Sequence, residues 1–136
     1  MTENHYNLVQ QYYEETPQET KDQYEGKSGI YGIYCDNRLV YIGKSADLLK
    51  RFIAHKANTF CDESPEYNSK KYVEMREACL KGHSIQIQVL EYCDKADLSS
   101  REDFYIEHYQ PALNTIIPNG YGRHTRKPVE AIIWLS

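Results

Sequence analysis

The pattern of hydrophobic and polar positions along the chain predicts three strands. Residues 29–35 (GIYGIYC) and 39–43 (LVYIG) are β-branched and aromatic runs, and the polar triplet at residues 36–38 between them is typical of a hairpin loop. Residues 84–92 (SIQIQVLEY) alternate between apolar and polar side chains, which is the period of a half-buried strand. These runs predict an antiparallel hairpin and a third strand.

A helical period of apolar positions predicts the elements between the strands. Ser45 is the predicted N-cap of the first long helix, and Gly82 is the predicted end of the second. The expected helices span residues 46–58, 66–81 and 97–109, with two shorter ones on either side of residues 16–17 (TP). The fold class that follows is α/β (α+β), a small three-stranded antiparallel sheet flanked by helices.

The length of the hairpin loop decides whether two strand tyrosines, Tyr31 and Tyr41, can serve one site. A three-residue loop pairs Ile33 with Tyr41 and places both tyrosines on one face, whereas a two-residue loop would place them on opposite faces. Tyrosine is also simply a good strand former, so the pair by itself proves little. A site that both tyrosines share therefore requires the three-residue loop.

The composition describes a soluble protein with an uneven distribution of charge. The chain has 136 residues, enough for one buried core, and no apolar run approaches the ~18 residues of a membrane span. Residues 1–27 hold six acidic side chains against two lysines, which equals the whole net charge of −4. Residues 28–60 carry five basic side chains against two acidic ones, and a further basic cluster lies at residues 123–127. Such basic regions can meet a phosphate backbone on an acidic protein.

The cysteines and the N-terminus give no sign of a secreted or zinc-binding protein. The four cysteines are widely spaced and form no CxxC pair. Cys79 and His83 have one metal-ligand spacing but no second half-site, which favours reduced core cysteines over a zinc site. The N-terminal segment is polar and acidic, unlike a signal or transit peptide, so we expect a cytoplasmic protein.

A carboxylate interrupts the apolar stripe of the third long helix. Glu102 occupies the fourth position after Leu98 on the face shared by Tyr105 and Ile106. A carboxylate on a buried face is costly unless it is paired or binds a cation. Ser99 and Glu102 also match a capping box, which would explain the glutamate without a metal. We favour a metal ligand, because a cap alone does not require glutamate on the apolar face.

The first long helix adds a cation and an imidazole. Arg51 and His55 are four residues apart, on one face and away from the apolar stripe, and Asp47 is placed one turn earlier to orient Arg51. An arginine fork with an imidazole beside it suits a bound phosphate, although such pairs are also common on exposed helix faces.

In combination these residues resemble the GIY-YIG nuclease superfamily. The resemblance covers about residues 28–114 and is specific, since six separate elements agree in order and approximate spacing. The elements that carry it are Gly29-Ile30-Tyr31, Tyr41-Ile42-Gly43, Arg51, His55, Glu102 and Asn114. The resemblance implies hydrolysis of DNA phosphodiester bonds with one divalent metal ion. We expect Mg²⁺, and Mn²⁺ suits a single carboxylate equally.

The resemblance also implies roles for the matching residues. Tyr41 would be the general base that activates water, with Tyr31 hydrogen-bonded beside it. Arg51 would neutralise the scissile phosphate, and Glu102 would hold the metal ion that stabilises the leaving oxygen.

Other matches imply supporting roles. Lys44 matches a lysine that would depress the pKa of the general base. His55 matches a proton acceptor or phosphate ligand, and Asn114 matches an asparagine that supports the site. Family members often carry a further histidine or lysine on the second helix, for which Lys70 and Lys71 are the candidates.

The expected organisation has three parts: an acidic, helical N-terminal extension (1–27), the GIY-YIG catalytic domain (28–117) and a basic, then apolar, C-terminal tail (118–136). DNA is the expected partner, with no membrane. The apolar tail raises the prospect of a homodimer, and the lack of a separate DNA-binding domain raises that of an accessory protein. The competing interpretation is a catalytically silent DNA-binding or regulatory module on this fold, against which stands the presence of every core catalytic position.

Overall fold

The computed structural model describes residues 2–111 and the backbone of residues 130–135. Asn114 and the basic cluster at residues 123–127 lie outside the described residues. The strands are β1 (Gly29–Cys35), β2 (Arg38–Ser45), β3 (Ile85–Tyr92) and β4 (Glu130–Leu135), in the sheet order β2-β1-β3-β4 with every neighbouring pair antiparallel. The three predicted strands are therefore present. The tail adds a fourth strand beside β3, where the sequence had left strand and helix equally open.

Within residues 2–111, five α-helices accompany the sheet, as the periodicity predicts: α1 (Glu3–Glu15), α2 (Gln18–Tyr24), α3 (Leu48–Phe60), α4 (Lys70–Leu80) and α5 (Leu98–Tyr109). Two predicted boundaries are wrong. The N-cap of α3 is Asp47, not Ser45, because the Asp47 carboxylate accepts the Lys50 N–H. The helix α4 begins at Lys70 rather than at residue 66. Gly82, at φ +86°, ends α4 as predicted, since its N–H donates to the Cys79 carbonyl.

The sheet separates two hydrophobic clusters. On one face Tyr31 and Ile33 pack with Leu49 and Phe52 of α3 and with residues of α4, and the N-terminal helix α2 adds Tyr24 to this cluster. On the other face the side chains of β1 and β2 pack against α5; these are Ile30, Tyr34, Leu39 and Ile42, with Tyr105 and Ile106 from the helix. The side chains of a strand alternate between faces, so neighbouring residues enter different clusters. None of the described helices is long and apolar enough to cross a membrane.

The hairpin has the predicted pairing of Ile33 with Tyr41, but its loop differs from the predicted one. Its loop has two residues, Asp36 and Asn37, with φ values of +49° and +68°, as in a type I′ turn. Tyr34 then pairs with Leu39, but the register shifts by one residue so that Ile33 pairs with Tyr41. The shift is a β-bulge that inserts one extra residue into β2. The expected three-residue loop is therefore wrong, whereas the Ile33–Tyr41 pairing and the shared face of the tyrosines are correct.

Candidate active site

Tyr31 lies at the centre of the candidate site. It is fully buried in β1, and its hydroxyl oxygen lies 2.6 Å from His55 Nε2 and accepts a long hydrogen bond of 3.4 Å from Arg51 Nε. Arg51 and His55 both project from α3 one turn apart, as their spacing predicts. The hairpin and α3 thus bring a hydroxyl, an imidazole and a guanidinium group together.

His55 is an interior residue of this site. The side chain has no exposed surface, and its Nδ1 atom lies 2.7 Å from the Tyr72 hydroxyl oxygen while Nε2 faces Tyr31. Burial, together with the nearby charges of Arg51 and Lys71, holds the pKa of His55 well below its ordinary value, so the ring is neutral. The expectation that His55 lies away from the buried face of α3 is therefore wrong. The ring packs inside because tyrosines of β1 and α4 satisfy both of its nitrogens.

Tyr41 is the more accessible tyrosine of the pair. Its ring centroid lies 6.3 Å from that of Tyr31 and 6.0 Å from that of His55. Burial raises the pKa of Tyr41, and the charge and hydrogen bonding of Arg51 offset part of that rise. Arg51 is therefore the cation that favours the phenolate of Tyr41.

Lys44 does not act on Tyr41. It points to the opposite face of β2, where its ammonium group donates to Ser99 Oγ at 2.8 Å and lies 3.8 Å from Glu102 Oε1. The prediction that Lys44 lowers the pKa of Tyr41 is wrong, because side chains three positions apart on a strand face opposite ways.

A different lysine lies beside Tyr41. Lys71 Nζ is 4.3 Å from the centroid of the Tyr41 ring and 4.8 Å from that of Tyr72. Burial, with the nearby charge of Arg51, lowers the pKa of Lys71 to about 8. Of the two lysines considered from the sequence, Lys70 is exposed and Lys71 reaches the site.

Glu102 approaches the site from α5. Its side chain is 20% exposed, and burial raises its carboxyl pKa while the charge of Lys44 offsets part of that rise. The predicted capping box is absent, because Ser99 lies inside α5, where its hydroxyl accepts from Lys44, and the N-cap residue Asp97 makes no side-chain cap hydrogen bond. The capping box therefore does not account for Glu102, whose partner in the described chain is the Lys44 ammonium group.

The site straddles β2, an edge strand of the sheet. Tyr41 and Arg51 stand on the α3 face and Glu102 on the α5 face, yet the charge of Glu102 raises the pKa of Tyr41 and the charge of Arg51 lowers the pKa of Glu102. An edge strand permits this because nothing in the described chain pairs with its outer side. Asp47 is not the partner of Arg51 that the sequence suggested, since its carboxylate caps α3.

Gly43 gives Tyr31 the room it needs. A Cβ atom at Gly43 would lie 2.5 Å from Cζ and 2.9 Å from Cε1 of the Tyr31 ring, so the ring lies directly over this glycine. The pairing of Tyr31 with Gly43 across the hairpin explains the contact.

We expect Gly43→Ala to displace Tyr31 and to lower the free energy of unfolding by about 1–3 kcal/mol, as overpacking does. Thermal and urea denaturation would measure the change. Gly26→Ala is the comparison, because a methyl group there meets nothing within 4 Å and costs only the strain of φ +73°. Equal losses for the two variants would contradict the steric argument.

Sequence reasoning missed Tyr72. This residue is fully buried and bonds to His55, and Asn58 Nδ2 donates to its hydroxyl at 3.2 Å. Nothing in its sequence surroundings distinguishes it from a core tyrosine, and only the packing of α4 on α3 reveals the contact.

Among the described residues, Cys79 and His83 are not part of a metal-binding cluster. Within residues 2–111, no group of three histidine, cysteine or acidic side chains is placed to hold a metal ion.

Comparisons with known proteins concern the family and the fold of the chain. A family model described as the GIY-YIG catalytic domain matches residues 27–116. The structure of a mutant of bacteriophage T4 EndoII is similar, with a TM-score of 0.51 and 19% sequence identity over 66% of this chain and 74% of that chain. No curated protein matches the chain significantly.

The match extends over most of the chain, which therefore belongs to the GIY-YIG family. This membership confirms the resemblance found from the motifs, and the structural similarity confirms the expected fold. It also confirms that the chain is an endonuclease of the GIY-YIG type.

Proposed function

We propose that the protein hydrolyses phosphodiester bonds of DNA, with Tyr41 as the general base and a divalent metal ion held by Glu102. One observation carries the proposal: the tyrosine pair and Arg51 meet the half-buried Glu102 at the edge of β2. This arrangement supports the proposal, because a proton acceptor, a phosphate-binding cation and a metal-type ligand are then near enough for their charges to act on one another. DNA is proposed as the substrate from the family resemblance and the basic character of residues 28–60.

The residues present fit a hard divalent cation. Glu102 is a half-buried carboxylate whose pKa burial raises, and the Lys44 ammonium group, 3.8 Å away, offsets only part of that rise. A bound cation would relieve this desolvated charge. Mg²⁺ typically takes one or two carboxylates and completes its coordination with water and substrate phosphate. When bound, the ion would stabilise negative charge on the leaving oxygen.

The other residues bind phosphate and move a proton. Tyr41, as its phenolate, accepts the proton of the attacking water, while Arg51 favours that phenolate and neutralises a phosphate oxygen. Lys71 adds a second positive charge beside the Tyr41 ring. Tyr31, bonded to His55, accepts from Arg51, and the rings of Tyr31 and His55 lie beside that of Tyr41. We also propose a cytoplasmic location, a homodimer formed through the tail and an accessory protein. Light scattering would test the homodimer, and co-purification would test the accessory protein.

We expect the purified protein to nick or linearise supercoiled plasmid DNA with Mg²⁺, and a chelator to abolish this activity. Restoring Mg²⁺ or supplying Mn²⁺ should recover it, because one carboxylate with water ligands suits either ion. Gel electrophoresis of the plasmid measures the outcome. Cleavage that persists in excess chelator would contradict the metal requirement, and inactivity on duplex, branched and single-stranded DNA with both metals would favour a DNA-binding module.

A further inference from the structure

A continuous chain of hydrogen bonds runs from the loop after α3 into the candidate site. It passes through six side chains, and four of its five links measure 3.2 Å or less. Its members, from loop to site, are Ser64, Asn58, Tyr72, His55, Tyr31 and Arg51. The last three belong to the site described above, whereas nothing assigns a role to the first three.

The loop end of the chain has a fixed direction. Ser64 Oγ accepts the Glu66 N–H at 3.2 Å and donates its own hydrogen to Asn58 Oδ1 at 2.6 Å. The Asn58 amide is therefore oriented with its nitrogen toward Tyr72, to whose oxygen it donates. All three side chains are buried, so water does not compete for these bonds.

The middle of this chain of hydrogen bonds contains one more hydrogen atom than its hydrogen bonds can use. The Tyr72 hydroxyl, the neutral His55 ring and the Tyr31 hydroxyl carry three hydrogens, but only two links join these groups. One hydrogen must therefore point out of the chain, from either the Tyr72 end or the Tyr31 end. Burial raises the pKa of Tyr72 to about 12, so its hydroxyl keeps its proton.

The surroundings of the two ends differ. At Tyr72 the amide nitrogen of Asn58 already donates to the hydroxyl oxygen, and the ammonium group of Lys71 lies 4.8 Å from the ring centroid; both are donors that disfavour an outward hydrogen, and the Glu66 carboxylate acts on Tyr72 only through its charge. Near Tyr31 lies Tyr41, whose oxygen can accept a hydrogen bond and is the base of the proposed reaction. In the favourable arrangement, the extra hydrogen is therefore the Tyr31 hydroxyl hydrogen, which points away from His55.

We propose that Tyr72 is a positioning residue: its hydroxyl donates to His55 Nδ1, fixes the ring with its proton on Nε2, and so directs the Tyr31 hydroxyl hydrogen toward Tyr41. In this arrangement the Tyr31 oxygen accepts from both Arg51 Nε and His55 Nε2. A donor aimed at Tyr41 stabilises the phenolate of the base. The catalytic consequence rests on the proposed function, whereas the tautomer of His55 does not.

The first test is the tautomer itself, in the wild-type protein without DNA or metal. The ¹⁵N chemical shifts of the histidine rings distinguish a protonated from an unprotonated nitrogen, and a His55→Gln spectrum identifies the His55 signals among those of the five histidines. We expect a protonated Nε2 and an unprotonated Nδ1. A ring protonated on Nδ1 would overturn the inference, whatever the cleavage assay shows.

The second test compares Tyr72→Phe with a matched buried tyrosine. Tyr105→Phe likewise removes a buried hydroxyl that is hydrogen-bonded, to Glu91 at 3.1 Å, but on the other face of the sheet. We expect Tyr72→Phe to lose the bias toward the Nε2–H ring and to lower kcat about 10-fold with an unchanged KM for DNA, the size expected for a hydrogen bond to a charged group. Tyr105→Phe should leave both the ring and kcat unchanged.

The outcomes separate this inference from the proposed function. A Tyr72→Phe protein whose His55 ring and kcat match the wild type would overturn the positioning role, as would a fall in kcat that Tyr105→Phe reproduces. A wild type that fails to cleave DNA would overturn the proposed function, and the ring measurement then decides the role of Tyr72 alone. The wild-type spectrum alone shows which ring nitrogen of His55 carries the proton. The inference therefore stays testable even if the Tyr72→Phe protein does not fold.

Discussion

Glu102→Gln is expected to lower the rate of DNA cleavage by about 10³-fold while DNA binding stays nearly constant. The amide keeps the size of the side chain but loses the charge that would hold a divalent cation, and metal stabilisation of a leaving oxygen contributes several kcal/mol. Single-turnover cleavage and fluorescence anisotropy of a labelled duplex, both with Mg²⁺, measure the two quantities.

Asp103→Asn is the matched control for this substitution, because Asp103 is the next carboxylate on α5 and is exposed. It should cleave at the wild-type rate. The melting temperature adds an independent readout: burial raises the pKa of Glu102, so the ionised side chain opposes folding at neutral pH and the amide should not destabilise the protein. A Glu102→Gln variant that cleaves as fast as the wild type would remove the proposed metal site.

Tyr41→Phe is expected to reduce kcat by about 10²–10⁴-fold, the contribution typical of a general base. The ring and its packing remain, and only the hydroxyl that accepts the proton of water is lost. The pKa of Tyr41 lies above the ordinary tyrosine value, so the phenolate fraction grows as pH rises toward that pKa. The wild-type kcat should therefore increase between pH 7 and 9, by up to about tenfold per pH unit.

The residual activity of Tyr41→Phe should lack this increase. Other groups around Tyr41 are Tyr31, Arg51, Glu66, Lys71 and Glu102, of which Lys71, with a pKa of about 8, titrates in the same range. Its loss of charge weakens phosphate binding and would appear in KM rather than in the rising kcat. Tyr34→Phe, a buried tyrosine of β1 on the other face, is the control. A pH profile that is unchanged in Tyr41→Phe would contradict its role as base.

The separation of positive charges around the edge strand follows from the strand geometry. Lys44 and Lys71 are both near the site, but β2 stands between them, so Lys44 contacts Glu102 and Lys71 contacts Tyr41. A metal ion at Glu102 would therefore compete with the Lys44 ammonium group, whereas a phosphate near Arg51 would gain from Lys71. The two lysines thus have different expected effects on metal and DNA affinity.

The sequence alone determined the elements and the chemical types of the site residues. Alternating and helical periods are local properties, and they predicted β1–β3 and the five helices. The helical period placed Glu102 on the apolar stripe of α5, and its side chain is 20% exposed in the structure. The motif spacing identified the family, because six separated elements are far more specific than any one of them.

The tertiary structure decided which of these residues meet. The positive φ values of Asp36 and Asn37 and the bulge after the turn set the tyrosine register, which residue counting assigned to a longer loop. His55 became an interior ring because Tyr72, seventeen residues away, supplies its second partner. Such contacts depend on how α4 packs against α3, and a local pattern carries no record of that packing. The edge position of β2, likewise a property of the whole sheet, is what lets Glu102 reach a site on the opposite face.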